Sequence, residues 1–215
     1  MYNDEYDYSF HADEKYCYSD STVLKNKLNI TDKAKLSEAE REITAIRIAG
    51  IEDYPIKGKF DFKHLKDIHF YIFQDFYEWA GQIRTVNISK GNVFCYYQNI
   101  ESYALMLFNK LKAEKFLITL DKCIFFDRIS YYMSEINALH PFREGNGRAQ
   151  RIFISYLAKV AGYELNFSEI SDKDMIEISS RAFRKGHEEY IPIFENIAKP
   201  ISLKEQDEFI YTMFN

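Results

Sequence analysis

The 215-residue sequence predicts an all-α domain carrying one small β-hairpin. Three observations carry that expectation. Apolar residues recur at intervals of three and four along most of the chain, the period of helices buried on one face. Only 8 glycines and 4 prolines are present, too few for a fold built on many tight turns. One stretch, "IRTVNISKGNVFCYY", alternates with a period of two instead.

Residues 1–20 are rich in Tyr, Asp, Glu and Ser and show no periodicity, so they read as a partly disordered arm ahead of the domain, disordered or laid against it through its tyrosines. The domain is expected over 21–200, with 201–215 as a helical extension. Leu24 to Leu28 reads as a short helix. Thr31 or Asp32 can cap the next, in which Leu36, Ala39, Ile43, Ile46 and Ala49 keep the helical spacing and Gly50 lies near the end. Asp61 can cap another, with Leu65, Ile68, Ile72 and Phe76 as its apolar stripe and Trp79-Ala80-Gly81 as its stop. Val86 and Ile88 then alternate with polar neighbours, and Lys90-Gly91-Asn92 supplies a turn. An isolated hairpin is marginal, so this one must lie on the helical body. Helical period resumes at Gln98. Phe125, Ile129, Tyr132, Ile136 and Leu139 step by four and three and deliver His140 at a helix C-terminus. A helix from near Arg148 turns Phe153, Leu157 and Val160 to the core and stops at Gly162. Further helices are expected at 172–185, 188–197 and 202–211, with Pro200 as punctuation.

Composition narrows the function. Hydrophobic residues make up 47% and charged ones 28%, the balance of a soluble globular chain. The net charge is −5 with no Lys/Arg tract, which argues against direct nucleic-acid binding. No apolar run is long enough for a membrane. Cys17, Cys95 and Cys123 are far apart, lack metal-ligand spacing and suit a reducing, cytoplasmic setting.

Chemistry concentrates in "HPFREGNGR", His140 to Arg148, between two apolar helices. Glycines around Asn146 let successive N–H groups converge on one point. The loop runs straight into a helix N-terminus, whose unpaired N–H groups and positive dipole end suit phosphate. Arg148 and Arg151 are three residues apart and share a helix face, from which they can hold further phosphates. Glu144 is out of place in a pure anion site, but it makes sense as a ligand to Mg²⁺ bridging phosphate oxygens. His140 titrates near neutrality in water and can serve as a general base. The set describes phosphoryl or nucleotidyl transfer from a nucleotide.

This stretch, with Arg151 after it, resembles the Fic family signature HPFx(D/E)GNGRxxR without departure. "VLKNKLNI", "GKFDFKHLKDIHFYIFQDFYEWAGQIR" and "IESYA" resemble the family as well, so the likeness extends over roughly residues 16–200. It implies a Fic-type helical bundle with a hairpin flap, and AMP transfer from ATP to a Ser, Thr or Tyr hydroxyl of a target protein. By the resemblance His140 deprotonates the hydroxyl and Glu144 holds Mg²⁺. Gly145, Asn146 and Gly147 cradle the α- and β-phosphates. Arg148 binds the β-phosphate and Arg151 the γ-phosphate, while Phe142 packs under the loop. The flap, Ser89, Lys90, Gly91, Asn92, Val93, Phe94, Cys95 and Tyr96, pairs with a target segment as an added strand, and Phe94 either clamps the target side chain or is a hairpin aromatic buried on the body.

Many members carry an inhibitory helix, (S/T)xxxE(G/N), whose glutamate pairs with the second arginine, here Arg151. No Ser or Thr in these 215 residues has Glu four positions later. The resemblance is therefore to bacterial toxins silenced by a small antitoxin that supplies that helix, with residues 31–50 as its docking helix. A cytoplasmic site of action is expected, with host delivery left open. Three other readings stay in view. One is another phosphate donor, or removal of AMP, on the same scaffold. Another is kinase action, against which the intact Gly147 speaks. The third is a silent nucleotide-binding module, against which the intact His140 and Glu144 speak.

Overall fold

Helix starts follow the short polar residues that can cap them. In this computed structural model, which describes residues 14–90 and 92–215 apart from the side chains of Glu52 and Asn92, Asp32 accepts from the Lys35 N–H and opens α1 (Lys33–Asp53). Asp61 does the same for His64 at α2 (Phe62–Phe73). Then come α3 (Ile100–Ala113), α4 (Lys122–Leu139) and α5 (Asn146–Val160). Ser171 caps α6 (Asp172–Lys185). After α7 (Ile191–Ile197), a reciprocal Ser202–Glu205 capping box opens α8 (Leu203–Phe214).

The core is built around α4 and α5. α5 packs on α2, α4 and α8. The stripe Phe125, Ile129, Tyr132, Ile136 and Leu139 is buried, as are Phe153, Leu157 and Val160 opposite it. α4 stops where His140 takes a left-handed conformation (φ 42, ψ 61), and six residues later α5 begins at Asn146. The loop is thus fixed at both ends by the two most buried helices.

Four expectations change. Leu24 to Leu28 is not a helix. The Asn26 side chain bonds Leu24 O, Ile30 O and Ile30 N–H, offering the backbone a turn in place of a helical turn. Leu24 pairs instead as a β-bridge with Cys17. α2 ends at Phe73, well before Trp79, because turns take over from there; Phe76 and Tyr77 N–H both bond Phe73 O, and the Tyr77 and Trp79 rings stack at 4.2 Å. The hairpin β1 (Ser89–Lys90) with β2 (Asn92–Val93) has a companion, β3 (Tyr163–Leu165) antiparallel to β4 (Ala198–Pro200). Pro200 sits in that second ladder rather than in a connection. Of the arm, Tyr16 and Cys17 are buried against the body; residues 1–13 and Gly91 lie outside the described residues. Among the described residues no helix is long and apolar enough to cross a membrane.

Candidate active site

The loop between α4 and α5 is held in shape by its own side chains and by α2. Asn146 accepts from Phe142 N–H at 2.9 Å and donates to Phe142 O at 2.8 Å, closing the loop on itself. Its amide is therefore committed, and only its backbone N–H is left for a ligand. Gly145 alone of the two loop glycines is left-handed (φ 78); Gly147 is already helical. The N–H groups of Asn146, Gly147 and Arg148 lie in the first turn of α5, where no intrahelical acceptor exists. N–H groups left open in this way at a helix start suit an anion.

His69 on α2 braces the loop from beneath. Its ring stacks between Phe142 (3.8 Å) and Phe73 (4.6 Å). The Gly81 N–H donates to Nδ1 at 2.9 Å, so Nε2 carries the proton and donates to Glu144 O at 2.9 Å. Burial lowers its pKa from 6.5 to about 3, so this brace stays neutral.

The backbone sets the tautomer of His140. Its Nδ1–H donates to Asn137 O at 3.1 Å, because a carbonyl can only accept, and this leaves the Nε2 lone pair for chemistry. Burial lowers its pKa to about 3, with Arg84 and Lys90 adding to the effect. The Phe94 ring of the flap lies flat on it, centroids 3.7 Å apart. Arg84 joins the same parts. Fully buried, it donates to His140 O (2.8 Å), Val86 O (2.6 Å) and Cys95 O (2.5 Å), and its own N–H bonds Pro141 O. One guanidinium thus ties both strands of the flap base to the histidine.

The charged groups divide. Glu144 turns back to accept from the Gly145 N–H at 2.8 Å. Burial, then Glu40, raises its pKa, against Arg148. Arg148 bonds Glu40 and Thr44 on α1. Arg151 lies one turn on, 3.8 Å from Asp172, at the wall of a cavity of about 360 Å³. Arg143 points away and is buried beside Cys17 and Tyr16. So His140, Glu144, Gly145, Asn146, Gly147 and Arg148 meet within one loop, with Arg151 at its edge. On the flap, Val93 and Tyr96 are exposed, whereas Phe94 is buried. A groove of about 290 Å³ runs between Val93, Cys95 and Tyr96 on one side and Tyr103 and Phe183 on the other.

The sequence reading missed Glu40, Thr44, Tyr77, Arg84 and the loop-bracing part of His69. Glu40 and Thr44 gave one faint sign, an i,i+4 polar pair on a helix otherwise read for its apolar face.

The sequence profile of the Fic/DOC family matches residues 59–158, which contain the whole loop and the flap. Over 174 residues the chain is 42% identical to "Probable protein adenylyltransferase y4lH" of Sinorhizobium fredii, covering 80% of this chain and 89% of that protein. The chain belongs to the Fic/DOC family. A second Fic relative, "Protein adenylyltransferase VbhT" of Bartonella schoenbuchensis, is also 42% identical, over 80% of this chain but only 36% of its own length. This Fic chain thus spans about a third of that protein. Among solved structures, BepC of Bartonella tribocorum with bound AMPPNP superposes with a TM-score of 0.83 at 27% identity, covering 89% of this chain and all (100%) of that one. A Fic domain from Bartonella quintana with bound ADP gives 0.83 at 29%, over 94% and 100%.

Proposed function

We infer that the chain is a protein adenylyltransferase, moving AMP from ATP to a Ser, Thr or Tyr hydroxyl of a target protein and releasing pyrophosphate. The observation that carries this is the pairing of a base with an anion cradle in one loop. His140 ends α4 with Nε2 unprotonated, and the first turn of α5 offers its N–H groups six residues later. Relatives named protein adenylyltransferases, and relatives solved with AMPPNP and ADP, support ATP as the donor.

The roles follow from placement. His140 Nε2 takes the hydroxyl proton as that oxygen bonds the α-phosphorus, and the bond from the α-phosphorus to pyrophosphate breaks. Asn146 and Gly147, with Arg148, hold the α- and β-phosphates through main-chain N–H groups, and Gly145, whose N–H bonds the Glu144 carboxylate, shapes the loop around them. Arg148 adds a planar fork for the β-phosphate, and Arg151, beside the open cavity, reaches the γ-phosphate. Donors set in advance around the developing charge lower the barrier without reorganising. Glu144 fits Mg²⁺. Among the described residues no three His, Cys, Asp or Glu side chains cluster as a metal cage, and Mg²⁺ with a nucleotide needs only one or two carboxylates. When bound there, it would neutralise charge across the α- and β-phosphates. The flap, Ser89 to Tyr96, receives the target as an added strand, with Val93 and Tyr96 outward. A small antitoxin docking on α1 is the partner we propose, since no (S/T)xxxE pattern occurs in these residues.

The test is incubation of the chain with ATP, Mg²⁺ and a bacterial lysate, the wild type beside His140→Ala. Protein bands labelled from α-labelled ATP, and absent with the variant, are expected. Label from the γ-position alone would establish a kinase instead.

A further inference from the structure

Arg148 belongs to the first turn of α5, yet its guanidinium is fixed by another helix. Nη2 donates to Glu40 Oε1 at 2.5 Å, and Nη1 donates to Thr44 Oγ1 at 3.1 Å. Glu40 and Thr44 are four residues apart, so one face of α1 presents both. The Tyr77 hydroxyl donates to the second oxygen of Glu40. Beneath the guanidinium lies the Phe73 ring, 4.5 Å from Cζ to centroid. The fork is therefore held along one edge and on one face. The Glu40 side chain is the more covered partner, 12% exposed against 22% for Arg148. The carboxylate backs the guanidinium and leaves it a side toward the loop, where Nη2 lies 3.9 Å from Glu144 Oε1.

We propose that Glu40 is a positioning residue for nucleotide binding. With Thr44 it presets the Arg148 guanidinium beside the glycine loop, so that an arriving phosphate meets a fixed fork. The assignment rests on the nucleotide reading given above. Two effects of Glu40 oppose each other. Its charge weakens the pull of Arg148 on an anion, whereas its hydrogen bond removes freedom from a long, rotamer-rich side chain. The geometry indicates which effect wins. A counter-ion that merely neutralised Arg148 would need neither the Thr44 bond, nor the Tyr77 brace, nor the Phe73 platform. The pairing also singles out the first arginine of the motif, leaving Arg151 one turn away with only a long contact to exposed Asp172.

The experiment is calorimetric titration of ADP with Mg²⁺ into the full chain, with a melting curve to check folding of each variant. Glu40→Ala is expected to weaken binding about tenfold, the scale of a charge-assisted hydrogen bond. Glu40→Gln keeps an acceptor for Nη2 and is expected within about threefold of the wild type. In an Arg148→Ala background, Glu40→Ala is expected to change binding less than about twofold, because the residue it acts through is gone. Should Glu40→Ala not fold, Thr44→Val removes the other fork bond at similar volume, and about a threefold loss is expected. Binding as tight as or tighter than wild type in Glu40→Ala would overturn the assignment and make Glu40 a restraint. A loss in Glu40→Gln equal to that in Glu40→Ala would overturn it too, as would a loss undiminished without Arg148. Absence of ADP binding to the wild type is a separate result, and it would refute the nucleotide reading itself.

Discussion

Replacing Gly145 by alanine probes how the loop is built. Gly145 is left-handed, with φ 78, a conformation that costs an L-residue about 1–2 kcal/mol. The added Cβ would also stand 2.1, 2.3 and 2.9 Å from three atoms of the Phe73 ring. That ring has nowhere to go. It is fully buried, stacked on His69 at 4.6 Å, with the Arg148 guanidinium 4.5 Å from its centroid. Overpacking of this kind costs about 1–3 kcal/mol. The sum is about 2–5 kcal/mol, or roughly 4–20 °C in melting temperature for a chain of this size. Urea unfolding at unchanged m-value is the assay. Phe73→Ala supplies the internal control. With the ring removed the clash is gone, so Gly145→Ala should then cost only the backbone share of about 1–2 kcal/mol. A change below about 0.5 kcal/mol, or the same change in both backgrounds, would refute the argument. Gly147→Ala marks the contrast. Its Cβ would meet only Arg151 Nη1, at 3.6 Å, so stability should hold or rise by up to about 1 kcal/mol.

Other expectations follow from the same geometry. His69 and His140 are both lowered from 6.5 to about 3 by burial, so the folded state binds fewer protons than the unfolded one in that window. Stability should be full above pH 6.5 and fall as pH drops toward 3, by about 1.4 kcal/mol per pH unit for each histidine. Glu144, raised from 4.5, offsets part of this slope. Unfolding midpoints at pH 7, 5.5 and 4.5 check it, and a flat profile would count against buried neutral histidines. Phe94→Ala should uncover the His140 ring and move its pKa back up from about 3 toward 6.5, read by NMR titration. An unmoved value would mean that the flap is not what desolvates it. Arg84→Met leaves carbonyls of His140, Val86 and Cys95 without their donor, and each buried orphan costs about 1–3 kcal/mol. The variant should lose stability and labelling of the target together, and a stable, active variant would show that the flap and His140 do not need this link.

The parts read from sequence are those whose signal is local. The stripe from Phe125 to Leu139 ends in His140, and the run from Glu144 to Arg151 lies within two turns, so periodicity and spacing place the loop. Capping residues Asp32 and Asp61 could be read for the same reason. What escaped is assembled from distant chain. Glu40 and Arg148 are separated by 108 positions, and His69 meets the Glu144 carbonyl across 75. Arg84 is a charge between Ile83 and Thr85 with no acidic partner near it in sequence, yet three carbonyls hold it inside. The β3–β4 ladder has only three residues a side, too short for alternation to show. The stretch from Leu24 to Leu28 carried helical apolar spacing, and local bonds from the Asn26 side chain, with a tertiary bond from Lys27 N–H to Phe76 O, overrode it.

The most direct measurement counts products. The chain is given ATP, Mg²⁺ and a purified labelled target, and pyrophosphate is quantified against protein-bound AMP for wild type and His140→Ala. The account predicts one pyrophosphate per AMP attached by the wild type, and loss of both in the variant. Pyrophosphate without protein-bound AMP, or transfer undiminished by His140→Ala, would contradict it.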